Sequence, residues 1–317
     1  MDALEKNRKR MVELLGELAT QEGSRDSLME GVTLLRVSCS MTRIPVMYEP
    51  CIVIVAQGRK RGYLGDLRFV YDARHYLTLT VPLPFECETQ TAEDGPFLGM
   101  AIRIDLAVLG ELMMKMNRAE RPAAAESSVT ATPMDVALSD AAVRMLEAMR
   151  SPMDAAVLGP QVVREIIYRV LCGQRGGALQ SLLETDGTRM QMHRILHRMH
   201  SEYARRLEVA RLAQQAGMSV SALHHHFKAL TATSPLQYLK TVRLHKARML
   251  MAQELVGASV AAARVGYESA SQFSREFKRM FGFSPVDETQ RLRAVFGIGQ
   301  AGQGTSHDAS IAGGQAR

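Results

Sequence analysis

The sequence predicts an α+β protein: an N-terminal antiparallel β-barrel with flanking helices, then an all-α domain in which one helix pair occurs twice around a linker helix. Three observations carry this. Short runs rich in Val, Ile, Leu, Tyr and Thr, separated by Gly, Pro and Asp, occupy the first third of the chain. The apolar period then lengthens to that of helices. Finally, VARLAQQAGMSVSALHHHFKALTATSP at 209–235 returns as VAAARVGYESASQFSREFKRMFGFSP at 260–285.

Residues 1 to about 30 read as an amphipathic helix with Leu4, Met11, Leu14, Leu15 and Leu18 on one side. From Thr33 the runs TLLRVS, CIVIVAQ, RGYL, LRFVY, YLTLTV and FLGMAIRI are predicted strands. Gly65-Asp66 between Tyr63-Leu64 and Leu67-Arg68 is a two-residue hairpin signal. Pro82 and Pro84 mark a strand's end, because proline cannot donate to a ladder. Asp105 caps a helix running through Met116, and 118–133 reads as a low-complexity surface loop. Helices are predicted at Asp140–Met149 and Pro160–Leu171, with apolar surface to pack on the barrel or on a second copy of the chain. Gly173 to Gly177 is the expected hinge. The predicted division is therefore 1–175, a sensor or dimerisation domain; 176–296, the repeat-bearing domain; and 297–317, a tail too poor in apolar residues to fold.

Each repeat opens with a short helix that meets a glycine, Gly217 or Gly266, where the turn needs a conformation that costs other residues a steric penalty. Ser219 or Ser269 then caps a second helix. Leu223 with Phe227, and Phe273 with Phe277, recur four residues apart to hold that helix against the first. This is a helix-turn-helix, written twice. The free face of the second helix carries Ser221, His224, His225 and Lys228 in copy one, and Ser271, Gln272, Arg275, Lys278 and Arg279 in copy two. Ser, Gln and Arg read base edges, and Lys and Arg neutralise phosphates. The linker helix, Leu236 to Leu255, carries Lys240, Arg243 and Lys246 as a stripe that reads equally as phosphate contact or as a solvated face.

The pair of motifs, GYESASQFSREFKRMFGFSP above all, resembles the C-terminal DNA-binding module of AraC/XylS-type transcription regulators over about a third of the chain. Residues 30 to 115 are similar to the cupin-like N-terminal domain of one subgroup of that family. The resemblance implies base reading by Ser221, His224 and His225 in one major-groove segment, and by Ser271, Gln272 and Arg275 in the next. Arg275 is the strongest reader, since a guanidinium grips guanine bidentately. Phosphate contacts are expected from Ser219, Lys228, Lys240, Arg243, Ser269, Lys278 and Arg279. The implied partners are double-stranded promoter DNA, RNA polymerase, a second copy of the chain and an unknown small-molecule effector, for which no pocket residue is nominated. One departure stands out: Tyr238 follows the first Ser-Pro at the family spacing, but Glu288 occupies that place after the second.

Net charge is +6, yet residues 189–293 hold 17 Lys and Arg against 7 Asp and Glu, so the remainder is net acidic. Basic charge concentrated on the repeats suits a polyanion partner. Cys39, Cys51, Cys87 and Cys172 have no metal spacing and no disulfide framework, which with the lack of a long apolar run predicts a cytoplasmic, membrane-free protein. Cys87, between Glu86 and Glu88, reads as structural, because neighbouring carboxylates disfavour its thiolate. The strand region has a single histidine, His75, too few for a metal site, and His224, His225 and His226 diverge by about 100° each on a helix. No catalytic residue, metal or cofactor is predicted, and the chain reads as a regulator rather than an enzyme. An architectural DNA binder with an inert barrel, or a cupin-type metalloenzyme fused to a DNA-binding domain, are the alternatives.

Overall fold

A computed structural model describes residues 2–116, 127–183, 187–254 and 256–296, with backbone only for 292–296. The predicted tail 297–317 and residues 118–126 of the predicted surface loop lie outside the described residues.

The strands occupy two facing antiparallel sheets rather than one closed ring. Gly23–Asp26 (β1), Val32–Val37 (β2), Met41–Tyr48 (β3), Cys51–Gln57 (β4), Arg59–Leu64 (β5), Leu67–Asp72 (β6), His75–Leu79 (β7), Leu83–Gln90 (β8), Phe97–Arg103 (β9) and Val129–Pro133 (β10) are ordered β1-β2-β9-β4-β7-β10 and β3-β8-β5-β6. Strand β4 lies inside the larger sheet with both faces covered, which is why its apolar run does not alternate. Ile52 and Ile54 face a helical layer, while Val53 and Val55 face the second sheet. That layer is Ala3–Leu18 (α1), Leu106–Lys115 (α2), Val136–Ala148 (α3), Pro152–Val157 (α4) and Gly159–Cys172 (α5).

Several expectations need correction. The N-terminal helix stops at Leu18, and the chain turns at Gly23, with φ +92°, into β1. Helix α3 begins at Val136, not Asp140, because Asp135 caps it, accepting from the Leu138 amide at 2.7 Å. Pro84 lies within β8, where that strand runs past the last β5 partner, Tyr63, and so no ladder bond is lost on that side. Residues 129–133 of the predicted loop form the edge strand β10, whose Val129 and Thr130 are buried beside Leu79 and Thr78.

The glycines at 173–177 are not a loose hinge. A side chain at Gly176 would lie 1.9 Å from the Leu171 carbonyl oxygen, and one at Gly173 2.9 Å from the Tyr76 hydroxyl, so these residues permit close packing. Gly177–Gln180 (α6) and the 3-10 turn Ser181–Leu183 pack on α5 and α2, and Leu179 joins their apolar core. These turns therefore continue the helical packing past residue 175 and also touch Thr188–Ser201.

The second domain comprises Thr188–Ser201 (α7), Val209–Gln215 (α8), Val220–Thr231 (α9), Pro235–Gln253 (α10), Ala258–Arg264 (α11), Ala270–Phe281 (α12) and Pro285–Phe296 (α13). Helix α10 serves both repeats. Its Tyr238, Leu239 and Val242 pack with α8 and α9, while Leu244, Ala247 and Met251 pack with α11 and α12. Among the described residues no helix is long and apolar enough to cross a membrane.

Candidate nucleic-acid interface

The two predicted helix-turn-helix units fold alike down to individual hydrogen bonds. In copy one the Met218 amide donates to Ala213 O and the Gly217 amide to Gln214 O; in copy two Tyr267 donates to Ala262 O and Gly266 to Ala263 O. Gly217 and Gly266 have φ of +63° and +85°, the left-handed geometry that favours glycine. Gly266 has a second reason to lack a side chain, since a Cβ would lie 2.2 Å from the Ala204 carbonyl oxygen. Ser219 accepts from the Ala222 amide at 3.1 Å and Ser269 from the Gln272 amide at 3.3 Å, so both hydroxyl oxygens are helix caps.

Leu223, Phe227, Phe273 and Phe277 are fully buried and turn the opposite faces of α9 and α12 outward. On those faces Ser221, His224, His225 and Lys228, and Ser271, Gln272, Arg275, Lys278 and Arg279, are all exposed. None of the ion pairs found among the described residues draws on Lys228, Arg275, Lys278 or Arg279. Gln272 donates to Glu276 at 3.2 Å, and Ser271 lies 3.0 Å from Ser269 Oγ. Arg279 stands on the wall of a cleft of about 330 Å³ that also touches Tyr63 and Glu86 of the small sheet.

Two members of the α10 basic stripe have partners within the protein. Lys240 is paired with Glu276 at 2.8 Å, and the half-buried Arg243 donates to the Tyr203 and Arg205 carbonyl oxygens at 2.7 and 2.9 Å. Burial pushes the Glu276 carboxyl up, but hydrogen bonds from Lys240, Tyr267 and Gln272 outweigh it and hold the group below its ordinary range. Lys240 and Arg243 thus brace α10 against α12 and against the segment before α8.

The sequence gives no local sign of how the first repeat meets the sheets. The apolar filling between the two sheets continues without a break into α7, α8, α9 and the first half of α10. Tyr238 donates to Pro82 O at 2.7 Å, Ser128 donates to Leu230 O at 2.7 Å, and His200 Nε2 lies 2.7 Å from the Tyr238 hydroxyl. Burial pushes the His200 imidazole down to about 4. Glu288, at the place equivalent to Tyr238, is 1% exposed and holds Arg248 at 2.5 Å and Arg291 at 3.2 Å, tying α13 to α10. The departure at Glu288 therefore closes the last helix onto its own repeat.

The family of AraC-type transcriptional regulator N-termini matches residues 28–178, and a helix-turn-helix family matches residues 212–291. Between them, the two matches make both parts of the chain similar to AraC-type transcriptional regulators. Among curated AraC-type relatives, the HTH-type transcriptional activator RhaS of Escherichia coli O139:H28 (strain E24377A / ETEC) is 31% identical over 128 residues, 40% of this chain and 45% of RhaS. RhaS of Escherichia coli strain SE11 matches to the same extent. The chain thus spans less than half the length of the curated relatives it matches. Two solved structures of ToxT from Vibrio cholerae strain SCE256 share the fold at a TM-score of 0.59. An apo single-substitution form is 11% identical and covers 86% of this chain and 100% of that one; the wild type bound to an unsaturated fatty acid is 13% identical and covers 84% and 96%.

Proposed function

We propose that this AraC-type chain is a sequence-specific transcription regulator that sets α9 and α12 into successive major-groove segments of promoter DNA. The observation that carries the reading is the pair of identically built turns, each presenting an exposed polar helix face from the basic third of the chain. Ser221, His224, His225, Ser271, Gln272 and Arg275 read bases. Lys228, Lys278 and Arg279, with the caps Ser219 and Ser269, position the backbone. Affinity draws largely on phosphates and falls steeply with salt.

The N-terminal domain takes a small-molecule effector in this reading, supported by the fatty acid found in ToxT, a protein of the same fold. A second copy of the chain and RNA polymerase complete the set of partners, and the site of action is the cytoplasm. Exposed Met153, Val157 and Leu158 on and beside α4, with Tyr168 on α5, give a self-association surface its apolar content. Selection of bound sequences from random DNA tests the central claim. A two-part consensus is expected; a pool with no enriched sequence after several rounds would reject specific binding.

A further inference from the structure

Inside the sandwich, a lysine stands where the strand pattern calls for an apolar residue. Arg59 and Arg61 of β5 are exposed, but Lys60, with Gly62 and Leu64, has the inward parity and is only 9% exposed. Its Nζ lies 3.2 Å from the Tyr48 hydroxyl and 5.0 Å from the centre of the Phe97 ring. The Tyr48 hydroxyl lies 3.5 Å from that of Tyr71, which is 3.7 Å from Cys87 Sγ. Among the described residues no carboxylate pairs with Lys60. The acids of the neighbouring strand β8 have the opposite parity: Glu86 pairs with Arg43, and Glu88 accepts from Tyr63 at 3.0 Å. The Tyr48 hydroxyl and a ring face solvate the ammonium in part, but they supply no full counter-charge, and a buried cation favours an anion beside it.

We propose that Lys60 is the anchoring cation for a small monocarboxylate held between the two sheets, with the Tyr48 and Tyr71 hydroxyls as its further hydrogen-bond donors. This deepens the effector reading given above and rests on it. One cation calls for one negative charge, and the surrounding Phe69, Phe85 and Phe97 call for an apolar body attached to it. Burial pushes the ammonium down, but Tyr48 and Cys87 more than offset that and hold it above its ordinary value, so it is charged at neutral pH. Burial keeps Tyr71 a neutral phenol, well above its ordinary value, and so a donor. The parity of the hairpin is the signal that could have found Lys60 in the sequence: once Leu64 is placed inward, Lys60 follows.

The test is calorimetric titration of the full chain with benzoate, phenylacetate, hexanoate and decanoate, each set against its neutral amide. At least one acid is expected to bind, its amide at least tenfold more weakly. Lys60→Met should lower that acid's affinity by about 10- to 100-fold, the worth of a hydrogen bond to a charged group. Since Lys60 has no ion-pair partner to leave behind, the variant should fold with little change in Tm. Equal binding of acid and amide by the unaltered chain, unchanged acid affinity in Lys60→Met, or no binding by any of the four acids would each overturn the proposal. The acid–amide comparison decides without the variant, should it fail to fold. DNA affinity measured with and without the acid separates the two readings. An acid that binds through Lys60 but leaves DNA affinity unchanged removes the effector role and keeps the site; an effect on DNA from a neutral compound alone does the reverse.

Discussion

The two repeats share a plan and differ in what they are fastened to. Copy one has no core of its own: Leu223, Phe227 and Tyr238 belong to the apolar filling that runs between the sheets. Copy two has a separate core of Phe273, Phe277, Phe281 and the second half of α10. One equivalent position shows how the division is made. In copy one it holds a phenol that reaches across to Pro82, and in copy two a carboxylate that turns back to Arg248. The same helix-turn-helix unit thus shares its core with the sheets in one case and holds a core of its own in the other, where α12 still touches β3. In the reading proposed above, an effector that shifts the sheets would act on copy one through this shared core, and on copy two through α10 and the contact of α12 with β3.

The sharpest way to break this contrast is in the cores. Phe277→Ala should destabilise copy two by about 3–5 kcal/mol and leave the sandwich intact, whereas Phe227→Ala should loosen both copy one and the sheets. Hydrogen exchange resolved by segment checks this; faster exchange in β5 and β8 after Phe277→Ala would erase the distinction. Acidification strains the seam next. His200 is neutral in the folded chain, with its imidazole pushed down by burial to about 4 from an ordinary 6.5. The unfolded chain therefore binds more protons between those values, and stability falls as pH drops from about 6.5 toward 4. The loss is roughly 3 kcal/mol at most, read from urea midpoints. His200→Gln should flatten that profile, and an unchanged profile would discharge His200 from the role.

Glu288→Gln should cost copy two about 3 kcal/mol, because it leaves Arg248 buried beside a neutral group. A change below about 0.5 kcal/mol, the range of ordinary surface substitutions, would mean that the buried pair does not hold α13. On DNA, Arg275→Ala should lose about 1–3 kcal/mol of preference for the selected site over random sequence. Lys278→Ala should weaken both alike and reduce the salt slope by about one. Equal losses on both DNAs for Arg275→Ala would remove it from the readers. The smallest effect sits at the helix ends. Copy one ends α9 with Ala232 at φ +58°, where copy two ends α12 with Gly282 at φ +83°. Ala232→Gly should stabilise copy one by about 0.5–1 kcal/mol in thermal melts, since alanine is strained there.

What was legible in the sequence is what a short window contains. The repeats, the Gly65-Asp66 hairpin and the Asp105 cap all have local causes, and the structure has each of them. What escaped depends on partners distant in the chain. Strands β3 and β8 were hidden by Pro45 and Pro84, which sit where a missing amide does no harm. Short α4 offers too few residues for a periodicity. The glycines at 173–177 look like a flexible connector until the Leu171 carbonyl is placed against them. Likewise Lys240 and Arg243 read as a basic stripe for phosphate or solvent until Glu276 and the Tyr203 carbonyl are brought beside them. Of the candidate readers, the outward direction was legible from the buried i, i+4 pairs alone; the use of α10 as a brace was not.

Helix α10 belongs to both repeats along its 19 residues, so it behaves as a rigid rod. At about 1.5 Å per residue it spans roughly 28 Å, comparable to the ~34 Å turn of B-DNA. Angular phase, as well as distance, is then built into the chain. A single residue inserted into the rod would rotate copy two by about 100° and, in the proposed binding mode, swing Arg275 off the side of the duplex that copy one would occupy. In that mode an operator has to keep the matching phase: half a helical turn of extra base pairs between its two halves would carry one of them out of reach.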